Sequence, residues 1–452
     1  MSRRPLALAL ILALPSAAGA TDLLQTYELA RAGDLQLSVA ESNRLYNKEG
    51  AVQAFGALLP QVTGSAGYQR SHSSRPESPL GDEKDRIYGA RVDQTIFDWS
   101  RIANLRGQRA ISQAADYDLT AANHNLITRT SAAYFNVLIG IESLAAAETN
   151  EAASLKQFDY AQKRLEVGLA PITDVHEARA QYDSARASTI LARNALDDAY
   201  RALAELTGQP VANLRGLPDD FRPELPAERD GQAWVDSALT QNPSLKAQEF
   251  AVQSAEYGVS SARAGHYPTL SLGGTYSNGT GWDSIAGTIS QDREYYTVGL
   301  TLNVPIFSGG ITQSRVRQAL ASRDIAQDQY EQQRRALIRN TSNAYQALVA
   351  GVTEVEARRL AVVSAQSAYD ASQVGLEVGT RTVLDVLQNQ RVLFQAQLEY
   401  ADAKYRYLQS RLLLEQAAGT LDIADVQDVN RLLTVDAEAR LSSPANGSIN
   451  RR

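Results

Sequence analysis

The chain is written twice. Sliding it along itself by 211 residues lays Ser131-Ala132-Ala133-Tyr134 on Ser342-Asn343-Ala344-Tyr345, Gly140 on Gly351, and Leu165-Glu166-Val167-Gly168 on Leu376-Glu377-Val378-Gly379. The same offset pairs Asp174 with Asp385 and Gly208 with Gly419; earlier in each half a slightly shorter one pairs Pro60 with Pro268 and Ile96-Phe97 with Ile306-Phe307. A duplicated half is a unit that cannot bury its surface alone, so two similar units must pack under pseudo-symmetry.

Each half reads as helix, strand, loop, strand, very long helix, short break, helix. The first repeat covers 21–208, with strands 60–71 and 86–97, a long helix 100–167 and a helix 172–206. The second covers 233–419, with strands 267–278 and 294–307, a long helix 311–378 and a helix 383–418. Pro210, Pro218, Pro223 and Pro226 mark 209–232 as the linker between them. A segment 420–435 follows, and the small, polar, aperiodic tail 436–452 reads as disordered.

No proline interrupts Ser100–Val167 or Ile311–Val378, and at about 1.5 Å per residue each makes a rod about 100 Å long. Tyr134, Val137, Ile141 and Leu144 form a narrow seam, repeated by Tyr345, Leu348, Val352, Val355 and Val362 with Arg359 interrupting. Spacing of three and four is coiled-coil packing. The other faces are rich in Ala, Gln, Ser, Asn and charge, which suits a wall one layer thick and wet on both sides. Helix pattern alone fits a spectrin-like or cytoskeletal coiled coil equally well, and a pore-less secreted coiled-coil scaffold or adhesin is the rival function.

The strands separate the two readings. Leu270, Leu272, Gly274 and Tyr276 alternate with Thr269, Ser271, Gly273 and Thr275; Tyr296, Val298, Leu300, Leu302 and Val304 alternate with Thr297, Gly299, Thr301 and Asn303. Val62, Ala66 and Tyr68, then Tyr88, Ala90, Val92 and Ile96, alternate in the same way in the first half. One apolar and one wet face, on strands of about 11 residues, is the pattern of an outer-membrane barrel; two surface hairpins on a helical core are the plainer alternative. Phe97, Trp99 and Phe307 stand where strand gives way to helix and suit an aromatic girdle, while the polar loops His72–Asp85 and Asn278–Arg293 would face outside. Four strands cannot close a barrel, so several chains must share one. Two and three copies both remain open, with small polar inward faces favouring three.

Arg3 and Arg4, an apolar run Leu6–Leu14 and Ala18-Gly19-Ala20 form a secretory leader over 1–20. Its removal leaves Thr21 first and takes the formal net charge from −7 to −9 through the loss of two arginines. No later segment looks long and apolar enough to cross a bilayer as a helix. Cysteine is absent, which excludes disulfides, thiolate metal sites and a lipid-bearing cysteine. The acidic balance offers no basic stripe for nucleic acid.

With these residues in view, the chain resembles the TolC family of outer-membrane efflux and secretion channels over nearly all of its length up to about residue 430. The likeness is carried by Ala133–Leu138, by Val167-Gly168-Leu169 with Ile172–Val175, by Ala178–Asp183, by Val363–Ser367 and by Val378–Leu387. It implies an α+β membrane protein: a homotrimeric 12-stranded β-barrel, four strands per chain, in the outer membrane, continued by a long α-helical coiled-coil barrel across the periplasm. It also implies an entrance closed at rest, opened by a periplasmic adaptor protein with an inner-membrane RND pump or ABC exporter. Drugs, bile-salt-like amphiphiles or unfolded polypeptides would be the cargo.

The same resemblance assigns the entrance. Asp385 would form a ring of carboxylates, selective for cations and with at least one pKa raised by its neighbours; Thr382 and Asp385 also read as a helix capping box. The family's second acidic ring falls on Gln388, so divalent block should be weaker. Arg381 matches a latch residue expected to bond Thr173 and Asp174, and the tyrosine that reinforces the latch is Leu376 here. One missing hydrogen bond, worth about 1 kcal/mol, predicts a gate that opens more easily. Val167, Gly168 and Leu169, with Val378, Gly379 and Thr380, match the turns that meet the adaptor. No enzyme site emerges: His176-Glu177 begins like a zinc motif, but Ala180 stands where its second histidine belongs, and no phosphate-binding loop or nucleophile elbow is present. No cofactor or metal is expected.

Overall fold

The computed structural model describes residues 21–72, 82–225, 230–283 and 288–441. The expected leader, residues 226–229 of the linker, residues 73–81 and 284–287 of the two expected loops, and the tail from 442 lie outside the described residues. The chain divides into two compact units, one holding residues up to Ser38, Ala122–Asn242 and Leu337 onward, the other Val39–Ala121 and Pro243–Ala336.

The first repeat runs α1 (Leu23–Gly33), α2 (Leu35–Gly56), β1 (Gln61–His72), β2 (Asp82–Phe97), the 68-residue α3 (Trp99–Glu166) and α4 (Ile172–Thr207). A short β3 (Arg215–Gly216) lies in the join. The second repeat runs α5 (Gly231–Gln241), α6 (Pro243–Arg263), β4 (Thr269–Asp283), β5 (Thr288–Asn303), the 67-residue α7 (Ile311–Glu377) and α8 (Val383–Ala418). The chain closes with α9 (Ile423–Leu432) and β6 (Val435–Asp436).

The single helix expected to open each repeat is two. Asp34 has extended backbone, and its carboxylate accepts the Leu37 N–H at 2.6 Å while pairing with Arg129 at 3.0 Å, so one helix stops and another is capped at once. In the second repeat Pro243 takes the first position of α6, where its missing N–H costs nothing.

The second unit carries one antiparallel sheet of four strands in the order β1-β2-β4-β5. Cross-strand partners share a face, so the register builds rows. Val62, Val92, Gly274 and Val298 form one row, with Gly64, Ala90, Tyr276 and Tyr296 above it. The row of Thr63, Arg91, Thr275 and Thr297 points the other way. The apolar face is open: Val62, Val298, Leu300 and Leu302 are each more than 60% exposed.

The strands depart from the expected bounds for backbone reasons. The ladders continue to His72↔Asp82 and Asp283↔Thr288, into what read as loops. β4 begins only after Pro268, and β5 stops at Asn303 instead of 307, because Pro305 has no N–H to donate. A bulge between Thr95 and Phe97 sets Phe97 opposite Leu270, so it shares a face with Leu302 despite its odd place in the alternation.

The first unit is built on α3. Tyr134, Val137, Leu138 and Ile141 are fully buried, and Leu144 nearly so. Contrary to expectation, α3 does contain a stretch long and apolar enough to cross a membrane by composition; half of that stretch is buried in the fold. In α7 only Leu348 and Val355 of the matching seam are buried, while Tyr345, Val352 and Val362 are half-buried.

The linker and the start of the tail form a knot. Arg215 and Gly216 pair with Asp436 and Val435, and the Ala437 N–H donates to the Leu214 carbonyl at 2.9 Å. Glu438 accepts from the Tyr200 hydroxyl at 2.6 Å and the Asn213 N–H at 2.7 Å. Arg440 pairs with Asp219 at 2.6 Å and with Glu142 at 3.6 Å. Beneath them Lys404, 1% exposed, donates to Glu142 at 2.9 Å, and the Tyr405 hydroxyl does so at 2.8 Å. The expectation of a disordered tail therefore fails for Asp436–Leu441: its charges complete a buried network that composition does not reveal.

Candidate functional site

Two helix–turn–helix tips, α3 to α4 and α7 to α8, carry most of the residues singled out in the sequence. Both turns share one backbone. The Leu169 N–H donates to the Arg164 carbonyl and the Thr380 N–H to the Gly375 carbonyl, each at 2.8 Å, five residues back along the helix. Gly168 at φ 76° and Gly379 at φ 77° occupy the left-handed region that lets a helix end this way. A Cβ at either would meet nothing, so the backbone angle, not space, requires glycine. Around them Val167, Leu169, Ile172, Val378 and Leu384 are each at least 58% exposed, and Thr380 is exposed too.

The next helix starts differently in each repeat. Pro171 precedes α4 without a side-chain cap. Thr382 and Asp385 form a full capping box: the Asp385 carboxylate accepts from the Thr382 N–H at 2.9 Å and its hydroxyl at 2.8 Å, and the Asp385 N–H returns to that hydroxyl at 3.2 Å. Those bonds, the backbone one foremost, hold the Asp385 carboxyl below the usual carboxylate range. Within one chain the shift is thus opposite to the rise expected from a ring of like charges, because the cap favours the ionised form.

The latch residues are not joined within the chain. The Arg381 N–H donates to the Gly375 carbonyl at 3.1 Å and its stem lies over Gly375, where an added Cβ would sit 2.6 Å from Arg381 Cγ. No bond links its guanidinium to Thr173 or Asp174 among the described residues; the Asp174 N–H donates to the Pro171 carbonyl at 3.2 Å. Leu376 is 5% exposed and packs with Ala161, Ala178, Val383, Val386 and Leu387, so it serves the core of the tip. Gln388 is exposed and accepts from Arg391 at 2.7 Å.

Of the girdle candidates, Phe97 is exposed at the end of β2 and Phe307 is 89% exposed beyond β5. Trp99 is half-buried at the start of α3, its indole N–H donating to the Ser260 hydroxyl at 3.1 Å with Arg106 over its ring. Among the described residues no cluster of potential metal ligands occurs.

The sequence of the "Outer membrane efflux protein" family matches residues 26–209 and 234–420, one stretch in each repeat. The chain belongs to that family. It is 34% identical over 425 residues to the outer membrane protein TolC of Vibrio cholerae, covering 93% of this chain and 96% of that one. It is 31% identical over 434 residues to the alkaline protease secretion protein AprF of Pseudomonas aeruginosa, covering 93% and 89%. Two solved channels share its fold. The Campylobacter jejuni CmeC outer membrane channel has a TM-score of 0.75 at 20% identity, over 92% of this chain and 90% of that one. VceC from Vibrio cholerae has 0.74 at 20%, over 88% and 96%. The resemblance read from the sequence holds, as do the α+β fold and the outer-membrane location: this is an outer-membrane channel protein of the efflux and secretion class.

In this efflux-family chain the structure adds residues that motif reading passed over. The Gln390 amide, 3% exposed, donates to Asn150 Oδ1 and Ser154 Oγ, both at 2.8 Å, and to the Asn150 carbonyl at 3.0 Å, pinning α8 to α3 just behind the tip. A polar residue on the buried stripe of Val383, Val386, Leu387 and Leu393 was the available signal. Arg391 carried no motif; only its bond to Gln388 brings it forward.

Proposed function

We propose that three copies pool their sheets into one twelve-stranded barrel in the outer membrane, continued by a coiled-coil barrel of long helices across the periplasm. The carrying observation is a sheet of four strands whose β1 and β5 have no outer partner among the described residues, and whose one face is an exposed apolar band. An open edge leaves backbone groups unpaired in lipid at several kcal/mol each, so another copy must cover it. Phe97, Trp99 and Phe307 fit the inner girdle of that barrel.

The chain works as a passive, gated exit duct and not as an enzyme, with energy supplied by an inner-membrane RND pump or ABC exporter through a periplasmic adaptor. The relatives named for efflux and for protease secretion support both kinds of service. The tips form the entrance: Asp385 and Gln388 face the axis, Arg381 latches to Thr173 and Asp174 of a neighbouring coil, and the exposed turns Val167–Leu169 and Val378–Thr380 meet the adaptor.

The deciding measurement is the mass of the detergent-extracted protein together with its conductance in planar bilayers. A trimer with unitary current steps is expected; a stable monomer recovered without detergent, or an oligomer giving no steps, would leave a pore-less coiled-coil scaffold. Arg381→Ala should raise conductance, and Asp385→Ala should weaken divalent block.

A further inference from the structure

The start of α8 presents a single outward stripe. Leu384, Gln388, Arg391, Val392 and Gln395 are exposed, whereas Val383, Val386, Leu387, Gln390 and Leu393 between them are buried. Steps of four, three and four put Leu384, Gln388, Arg391 and Gln395 along one line of the helix surface. Arg391 does not extend freely from that line: its Nη2 donates to Gln388 Oε1 at 2.7 Å, which draws the guanidinium back toward the tip. Among the described residues Arg391 has no carboxylate partner, so its charge is not neutralised inside the chain.

We propose that Arg391 is a specificity-determining residue of the channel, forming a cationic collar directly behind the Asp385 carboxylates so that organic anions are not turned away at the entrance. This rests on the reading that Asp385 and Gln388 face the axis. The guanidinium sits on Gln388, three residues beyond Asp385, which is about 4.5 Å along a helix. That is well inside the Debye length of about 8 Å at physiological salt, so a passing ion feels both charges together. Each copy contributes one negative and one positive group, and the constriction becomes a charge doublet instead of a net acidic ring. The cargo this favours is amphiphilic molecules or polypeptides bearing carboxylate or phosphate groups.

The test is the potassium-to-chloride permeability ratio of the full-length protein, read from reversal potentials under a KCl gradient in planar bilayers. Arg391→Ala and Arg391→Gln should each raise the ratio about two- to threefold, the effect of three partly screened charges. Arg391→Lys should leave it near the wild-type value. Asp385→Ala is the control for the axis reading and should lower the ratio. A response to Asp385→Ala with none to either Arg391 change overturns the collar and leaves the entrance where it was placed. If Asp385→Ala also has no effect, the axis reading falls and the collar falls with it.

Discussion

The knot and the tips of the first unit are built on opposite rules. At the knot, the charges of Lys404, Glu142, Arg440 and Asp219 lie against one another, two short strands pair, and buried Leu214, Leu217 and Tyr405 fill the space between. At the tips, apolar side chains are exposed, and no hydrogen bond joins the Arg381 guanidinium to Thr173 or Asp174 among the described residues. At the knot most of the charged groups are paired within the chain. The tips keep their apolar side chains exposed, and are held by two glycine turns, one capping box and the Gln390 bonds to α3.

The largest effect is expected at the knot. Glu142→Ala strands a buried ammonium, and losing one partner of such a pair costs about 3–5 kcal/mol. Thermal unfolding should show a large fall in midpoint, partly recovered by adding Lys404→Met. If Glu142→Ala unfolds like the wild type, the knot does not hold the unit together.

At the tips the expected effects are smaller and local. Gly379→Ala forces a side chain into the left-handed region at a cost of about 1–2 kcal/mol, and Gly168→Ala should cost the same since neither Cβ meets a neighbour. Hydrogen exchange should show faster opening around the altered turn with the knot unaffected.

Thr382→Ala removes the cap that only the second repeat has, at about 1 kcal/mol. It should also let the Asp385 carboxyl rise toward its ordinary value, seen as cation selectivity lost at a higher pH than in the wild type. The sign follows from the depressed folded pKa. The cap's contribution is complete above the unfolded value near 3.9 and disappears as pH falls through the folded one.

The smallest effect belongs to His124, 8% exposed in α3, whose Nδ1 has no partner among the described residues and whose pKa burial holds down. The unfolded chain takes up a proton below about pH 6.5 while the folded chain resists. Stability should therefore slip as pH drops from 7 toward 5, and His124→Gln should flatten that slope in a series of unfolding midpoints.

The duplication, the two long helices, the strand alternation and the turns at Gly168 and Gly379 were legible because each is a local periodicity or a single-residue backbone demand. Residue order is enough to define the repeating unit and the chemistry of each strand face. Tertiary structure alone decided that Asp436–Leu441 completes the knot, that Leu376 faces the core, and that Arg391 reaches back to Gln388. Those facts depend on which groups meet across the fold or along a helix face, and a charge or an apolar side chain reads the same in a sequence whether its partner is water, a core or another ion.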